Sequence, residues 1–296
     1  MDFKLWDLPK DEQAAITLLQ EQGILHKERK CVNNHMMNLN WVKFKDESKP
    51  RWRCYTRPCL EVKGIRTQTW FSESRIPFVT ALRFIYLWCK ELTSIDFCER
   101  QLEMNHCTTV DWNMYMREVC ANDLLSRPNV KIGGPNRIVK INESLFTKRK
   151  NNVGRVLPPQ WVFGGLCRET RECFLVTVPD RSAPTLMSAI EDHVLKGTII
   201  YSDCWKGYKF SDLQAAGYDH FTVNHSYHFV DPVTQCHTQS VERLWGSAKW
   251  RNKRQRGTVR HHLDSDLIEF VWRRMHSKEN MFSSMLNAIS RFMPPV

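Results

Sequence analysis

No apolar run in the chain approaches the roughly 20 residues needed to cross a bilayer. The longest, Phe84-Ile85-Tyr86-Leu87-Trp88-Cys89, stops at Lys90. The first residues, Met1-Asp2-Phe3-Lys4, mix charges and lack the apolar core of a signal peptide. The expectation is an intracellular protein with no membrane partner, nuclear if the host is a eukaryote. No internal repeat or low-complexity segment is evident. Acids are scarce: 32 Asp and Glu stand against 43 Lys and Arg, a net charge of +11 over 296 residues. A polyanion is the simplest partner for such an excess, and a mildly basic soluble protein is the plain alternative. Hydrophobic residues at 42% supply enough apolar surface for packed cores, which excludes a disordered chain.

Cysteine is plentiful, at eleven residues. Cys89, Cys98, Cys120, Cys167, Cys173 and Cys204 sit singly in apolar stretches and read as core thiols of a reducing compartment. Cys31, Cys54 and Cys59 lie in polar, loop-like surroundings that point to another use.

The chain divides by composition. Residues 1–28 hold a short helix opened by Leu8-Pro9-Lys10-Asp11-Glu12, with Ala14, Ile16, Leu18 and Leu19 on its apolar side and Gly23 ending it. Residues 29–75 are polar and interrupted by Pro50, Pro58 and Gly64. Residues 76–126 are helical. A first helix carries Val79, Leu82, Ile85, Tyr86 and Leu87. A second follows Thr93 and Ser94 with Ile95, Cys98 and Leu102 inward, and a third is capped by Thr108 or Thr109. This pattern fits either a helix-turn-helix or an ordinary bundle. Breaker-rich residues 126–136 form the linker.

Beyond it the rhythm becomes that of strands. Arg137 to Phe146 alternates, and Gln160–Leu166 and Glu172–Val178 read as a hairpin. A helix from Ser182 to Leu195 closes at Gly197. Thr198–Ser202 is a buried strand, Trp205 to Ala216 a helix, His220–Asn224 a strand and Ser240 to Arg251 a helix. The fold class is therefore α/β. The order matches a ribonuclease-H-like domain, an antiparallel meander followed by crossovers to parallel strands in a mixed sheet with flanking helices.

Two acids fall where such a scaffold places chemistry. Asp203 stands just past a buried strand, although the same residue is an ordinary cap for the next helix. Glu242 lies in the first turn of the last helix beside the stripe Val241, Leu244, Trp245 and Ala248, with small Gly246 leaving its approach open. Carboxylates converging from separate elements are what a two-metal phosphodiester site needs. Such a site wants a third acid from the first strand, where Val139-Lys140-Ile141-Asn142-Glu143-Ser144 stands.

Here a resemblance becomes specific. This segment, Gln160-Trp161-Val162-Phe163-Gly164-Gly165, Val178-Pro179-Asp180-Arg181-Ser182, Ser202-Asp203-Cys204-Trp205, Val223-Asn224-His225-Ser226, Phe229-Val230-Asp231-Pro232, Val241-Glu242-Arg243-Leu244-Trp245, His262-Leu263-Asp264-Ser265 and Glu269-Phe270-Val271-Trp272-Arg273-Arg274 resemble the ISXO2-like (IS1595) DDE transposase domain. In eukaryotes that lineage includes the Merlin transposons. The resemblance spans residues 137–276 and leaves 277–296 as a helical tail. It implies a catalytic triad at Asn142, Asp203 and Glu242, with Mg²⁺ or Mn²⁺ on Asp203 and Glu242. It further implies double-stranded DNA at terminal inverted repeats as partner, and a homo-oligomer on that DNA.

In the family the first member is aspartate. Asparagine offers one neutral carbonyl oxygen where aspartate offers two charged ones that bridge two cations. The expected outcome is weak or absent strand transfer, and the alternative is a degenerate or domesticated DNA-binding protein with no catalysis. Glu143 is expected to face away from Asp203, since adjacent strand residues point to opposite faces. The family often begins with a zinc ribbon. Here Cys54 and Cys59 form the second pair, Asn34 stands where a cysteine would complete the first, and His35 completes a Cys31, His35, Cys54, Cys59 set. A decayed ribbon without metal is the alternative. Basic residues Lys148, Arg149, Lys150, Lys249, Arg251, Lys253, Arg254, Arg256 and Arg260 are expected beside DNA.

Overall fold

The computed structural model describes residues 3–44, 47–127, 131–146, 160–205, 207–208, 210–223, 237–254 and 262–295. The chain forms two compact units, Met1–Asp123 with His276–Val296, and Leu124–Met275. No described helix is long and apolar enough to cross a membrane.

The first unit begins with helix α1 (Glu12–Glu21). Its start lies beyond Pro9, because the Asp11 carboxylate accepts from the Ala14 amide at 2.8 Å and fixes the N-terminus there. Ala15, Ile16 and Leu19 are buried, and Ala14, expected inward, is exposed. Strands β1 (Arg29–Lys30), β2 (Met36–Phe44), β3 (Glu47–Arg53) and β4 (Val62–Gly64) form an antiparallel sheet in sequence order. Helices α2 (Phe78–Cys89), α3 (Ile95–Leu102) and α4 (His106–Leu125) follow. Pro77 caps α2 without a side-chain hydrogen bond, and Glu12 of α1 takes over by accepting from the Phe78 and Val79 amides at 3.0 and 2.9 Å. The cap of α4 is Asn105, which accepts from Thr108 N at 2.8 Å, rather than Thr108 or Thr109. Thr109 is buried and bonds back to Asn105 O instead.

The second unit contains β5 (Ile132–Gly133), β6 (Ile138–Leu145), β7 (Trp161–Cys167) and β8 (Cys173–Val178), then α5 (Ala183–His193), β9 (Val194–Leu195), β10 (Ile199–Asp203), α6 (Phe210–Ala215) and β11 (Asp219–Val223). Helices α7 (Gln239–Arg254) and α8 (Leu263–Met275) complete it, and the last helix, α9 (Met281–Phe292), belongs to the first unit. The main sheet runs β11-β10-β6-β7-β8. The meander β6-β7-β8 is antiparallel, whereas β10 runs parallel to both β6 and β11.

Two boundaries differ from the sequence expectation. Helix α5 ends at His193, because β-branched Val194 adopts extended backbone and pairs with Ile132 as a short parallel ladder. Helix α6 begins at Phe210, not Trp205. The Asp203 carboxylate accepts from Trp205 N at 3.1 Å and Tyr208 N donates to Trp205 O, so the chain makes a turn before the helix starts.

The sheet buries both faces. Val139, Ile141, Phe163 and Ile200 pack with Leu186 and Ile190 of α5 and Leu213 of α6. Val162 and Leu166 pack with Val241, Leu244 and Trp245 of α7 and Leu267 of α8. Gly164 permits the second packing: a Cβ there would stand 2.5 Å from Leu175 Cδ2 and 2.8 Å from Trp245 Cη2. Cys89, Cys98, Cys120, Cys167 and Cys173 are buried free thiols as expected, but Cys204 is exposed, because it lies past the end of β10.

Candidate active site and metal centre

Strand β6 supplies the first position. Val139 and Ile141 point into one core, so Lys140, Asn142 and Ser144 alternate onto the face that α7 covers. Asn142 lies opposite Gly164 of β7 and is half-buried. On the other side β10 pairs with β6 through Ile199↔Ile138, Ile200↔Val139 and Tyr201↔Lys140. Continuing that register by two residues brings Asp203 level with Asn142, on the same face. Glu242 sits in the first turn of α7, exposed, and accepts from Thr238 Oγ1 at 2.8 Å. A Cβ on Gly246, one turn on, would meet nothing within 4 Å, so space beside Glu242 is open.

Cations share that face. Lys140 is 2% exposed, and its ammonium lies 2.8 Å from His237 Nε2. Burial first, then the charges of Lys140, Arg168 and Arg243, lower the His237 pKa, while Glu242 opposes them. A neutral imidazole that accepts from Lys140 follows. Lys249 of α7 donates to Ser144 Oγ at 2.6 Å and lies 5.2 Å from the centre of the Phe146 ring. Two ammonium groups therefore bracket Asn142 along the strand, that of Lys140 and that of Lys249 at Ser144. Lys249, expected at the DNA backbone, is anchored to the sheet through Ser144.

Alternation turns Glu143 to the opposite face from Asn142, where Tyr208 Oη donates to its carboxylate. Its separation from Asp203 is nevertheless incomplete. Burial, then the Asp203 charge, raise the Glu143 pKa to about 7, with Arg181 pulling the other way. Strand alternation reverses the side chain, but Asp203 stands at the strand end, where its field reaches both faces. Arg181 is held 4.1 Å from the Trp161 and Trp205 ring centres. The Glu143–Tyr208 pair and Arg181 escaped sequence reading, since no spacing links residues 143, 181 and 208.

The second candidate lies in the first unit. Cys31, His35, Cys54 and Cys59 bring their ligand atoms within 4.8 Å of one another. His35 Nδ1 is 3.4 Å from Cys31 Sγ and 3.7 Å from Cys54 Sγ. A tetrahedral zinc with ordinary Zn–S and Zn–N lengths has nitrogen–sulfur edges of about 3.5 Å. Both distances fit. The turn is set by Cys31 N donating to His35 O at 3.0 Å, by His35 N pointing at Cys31 Sγ at 3.2 Å, and by left-handed Asn34 at φ 63°. The second loop closes through Cys54 N to Glu61 O at 2.8 Å. Burial raises the Cys31 thiol, but hydrogen bonds from the His35 backbone and from Cys59 and Cys54 outweigh it, and the net shift is downward. Around the cluster Met37 and Trp52 form a small buried core. Among the described residues this is the one group of three or more such ligands that converges.

Lys148, Arg149, Lys150, Arg256 and Arg260 lie outside the described residues, and Arg251, Lys253 and Arg254 are placed only by the backbone of α7.

A transposase-like protein of Haemophilus influenzae is 27% identical over 116 residues, covering 39% of this chain and 91% of that one. A chain in the cryo-electron-microscopy structure of the simian T-cell lymphotropic virus intasome in complex with the PP2A regulatory subunit B56 gamma is 15% identical, with a TM-score of 0.33 over 62% of this chain and 67% of its own. Residues 132–274 match the family model of the ISXO2-like transposase domain, so nearly the whole of the second unit is similar to that domain.

Proposed function

We propose that the protein is transposon-derived, binds double-stranded DNA, and has lost most or all of its strand-transfer chemistry at Asn142. The sheet order β11-β10-β6-β7-β8, with an antiparallel meander followed by parallel crossovers, supports assigning the second unit to the ribonuclease-H-like class of the DDE enzymes. The observation that carries the reading is the single face shared by Asn142 and Asp203, with Glu242 on the helix that covers it. In that arrangement the triad positions are Asn142, Asp203 and Glu242.

A pair of Mg²⁺ or Mn²⁺ ions does not fit these donors. Asp203 and Glu242 provide carboxylates, but Asn142 provides one neutral oxygen, and Lys140 of β6 and Lys249 of α7 add positive charge on the same face. Glu143 is no replacement, because Tyr208 holds it on the opposite face, where burial first and then the Asp203 charge raise its carboxyl pKa to about 7. No hydrolytic or transfer step is assigned to this chain. What it keeps is a basic chain with a +11 balance, suited to a phosphate backbone. Helices α2, α3 and α4 fit a helix-turn-helix role in reading terminal inverted repeats, with the protein assembling as a homo-oligomer on DNA.

The zinc ribbon is the second part of the proposal. Cys31, His35, Cys54 and Cys59 fit Zn²⁺ in charge, softness and spacing, and would hold it as a closed structural site. Titration of the wild type and of Asn142→Asp with Mn²⁺, the ribbon zinc in place, tests the catalytic half. The variant should bind about 100-fold more tightly, the effect of a restored charge worth several kcal/mol. Equal affinity would show that Asn142 is not at a metal position.

A further inference from the structure

We infer that the first unit has a binding cavity for a methylated ammonium group, of the kind carried by a methylated lysine side chain. The cavity measures about 510 Å³ and is lined entirely by first-unit residues, a size that holds a small ligand or a side chain with its flanking backbone. One wall is a stripe of α4. Asp111, Trp112, Tyr115 and Glu118 follow one another at helical spacing and face the same space. The opposite wall is the loop before α2, with Trp70 and Glu73.

The aromatic geometry is that of a corner. Trp70 and Trp112 meet edge to face, 5.4 Å between centres and 82° between planes. Phe71 and Phe84 pack against Trp112 and fix it, at 4% exposure, so that this wall is rigid. Tyr115, 41% exposed, stands one turn further along the same helix face. Trp70 and Tyr115 line the cavity with buried Trp112 behind them, so its wall is rich in the π density that attracts a weakly hydrated cation.

Charge points the same way. In a chain of net +11, this cavity carries three acids, Glu73, Asp111 and Glu118, against one arginine, Arg75. All three acids are exposed, and none has an ion-pair partner among the described residues. Ser74 Oγ, also at the cavity, is buried and has no hydrogen-bond partner among the described residues. A nucleic acid is therefore excluded as occupant, since its phosphates would meet these carboxylates. A bare primary ammonium is strongly hydrated and suits a direct salt bridge, whereas a methylated one sheds water readily and fits aromatic walls with acids at the rim. The chemistry is shared by a methylated lysine and by a free choline-like cation.

Tryptophan fluorescence of the full-length protein tests this with three probes: choline, its neutral isostere 3,3-dimethylbutan-1-ol, and a short peptide carrying trimethyl-lysine. Choline should quench saturably, and the isostere should bind about tenfold more weakly. A peptide that binds at least about tenfold more tightly than choline identifies the source as a protein side chain, and one that binds no better identifies a free small cation. Asp111→Asn with Glu118→Gln changes only exposed side chains and should weaken choline binding about tenfold, with the melting temperature unchanged. Tyr115→Leu should weaken it further. Choline and the isostere binding equally, or neither producing saturable quenching, would overturn the inference.

Discussion

Removal of the ribbon metal should unfold the β1–β4 sheet while leaving the helices of the first unit in place. The cluster holds one imidazole and three thiols within 4.8 Å, and without an ion the thiolates would repel one another at that distance. The local core, Met37 and Trp52 beside Cys31 and Cys54, is too small to hold four strands unaided. Structural zinc in peptides of this size contributes about 10–16 kcal/mol, comparable with the whole stability of an ordinary domain. Its loss should therefore be decisive locally. Hydrogen exchange of full-length protein, with and without a chelator, reads the effect at the amides of Cys31 and Cys54, which bond His35 O and Glu61 O. Their protection should fall by at least about 100-fold on chelation, while amides of α2 keep theirs. Atomic emission should give one zinc per chain, Cys54→Ser should abolish it, and His35→Cys should retain it. Protein that carries no zinc and takes none up, or amides still protected after chelation, would refute the ribbon as a metal site.

Other perturbations follow from the second unit. Gly164→Ala forces a Cβ against Leu175 and Trp245 and should cost about 1–3 kcal/mol in urea unfolding, from displacement of α7. Glu269 is fully buried and accepts from Arg273 Nε at 2.7 Å, so Glu269→Ala breaks a buried ion pair and should cost about 3–5 kcal/mol in the same melts. Glu143 has a folded pKa raised to about 7 from 4.5. Its stabilising effect is complete below the unfolded value and is lost as pH rises between the two. Urea melts across that window should show Glu143→Gln gaining up to about 3 kcal/mol on the wild type, and parallel profiles would contradict the burial argument.

Much of the second unit was legible because its signals are local. The alternation of Val139, Ile141 and their polar neighbours fixed both the strand and its two faces, and Val241, Leu244, Trp245 and Ala248 are the buried stripe of α7. The four zinc-type ligands were legible as residue types, with His35 standing in for the missing cysteine. What escaped depends on contacts between distant positions. The ends of α5 and α6 were set by Val194 pairing with Ile132 and by the Asp203 turn, neither of which a helical pattern contains. The lysines flanking Asn142 became visible only when α7 placed Lys249 over Ser144 and His237 met Lys140. Glu143 shows the limit of the alternation rule, since an acid at a strand end acts across both faces. Ala14 and Cys204 depart from expectation for a simpler reason: an apolar residue beside a buried run is not itself buried when its side chain faces outward or lies past the strand end.

Cleavage of a DNA duplex carrying the inverted repeats that flank the coding sequence bears most directly on the central reading. Wild type and Asn142→Asp would be compared in Mg²⁺ and in Mn²⁺ under the same conditions. The account predicts that Asn142→Asp cuts at least about 100-fold faster, since a restored bridging carboxylate is worth several kcal/mol of barrier. Equal rates for the two proteins would contradict it.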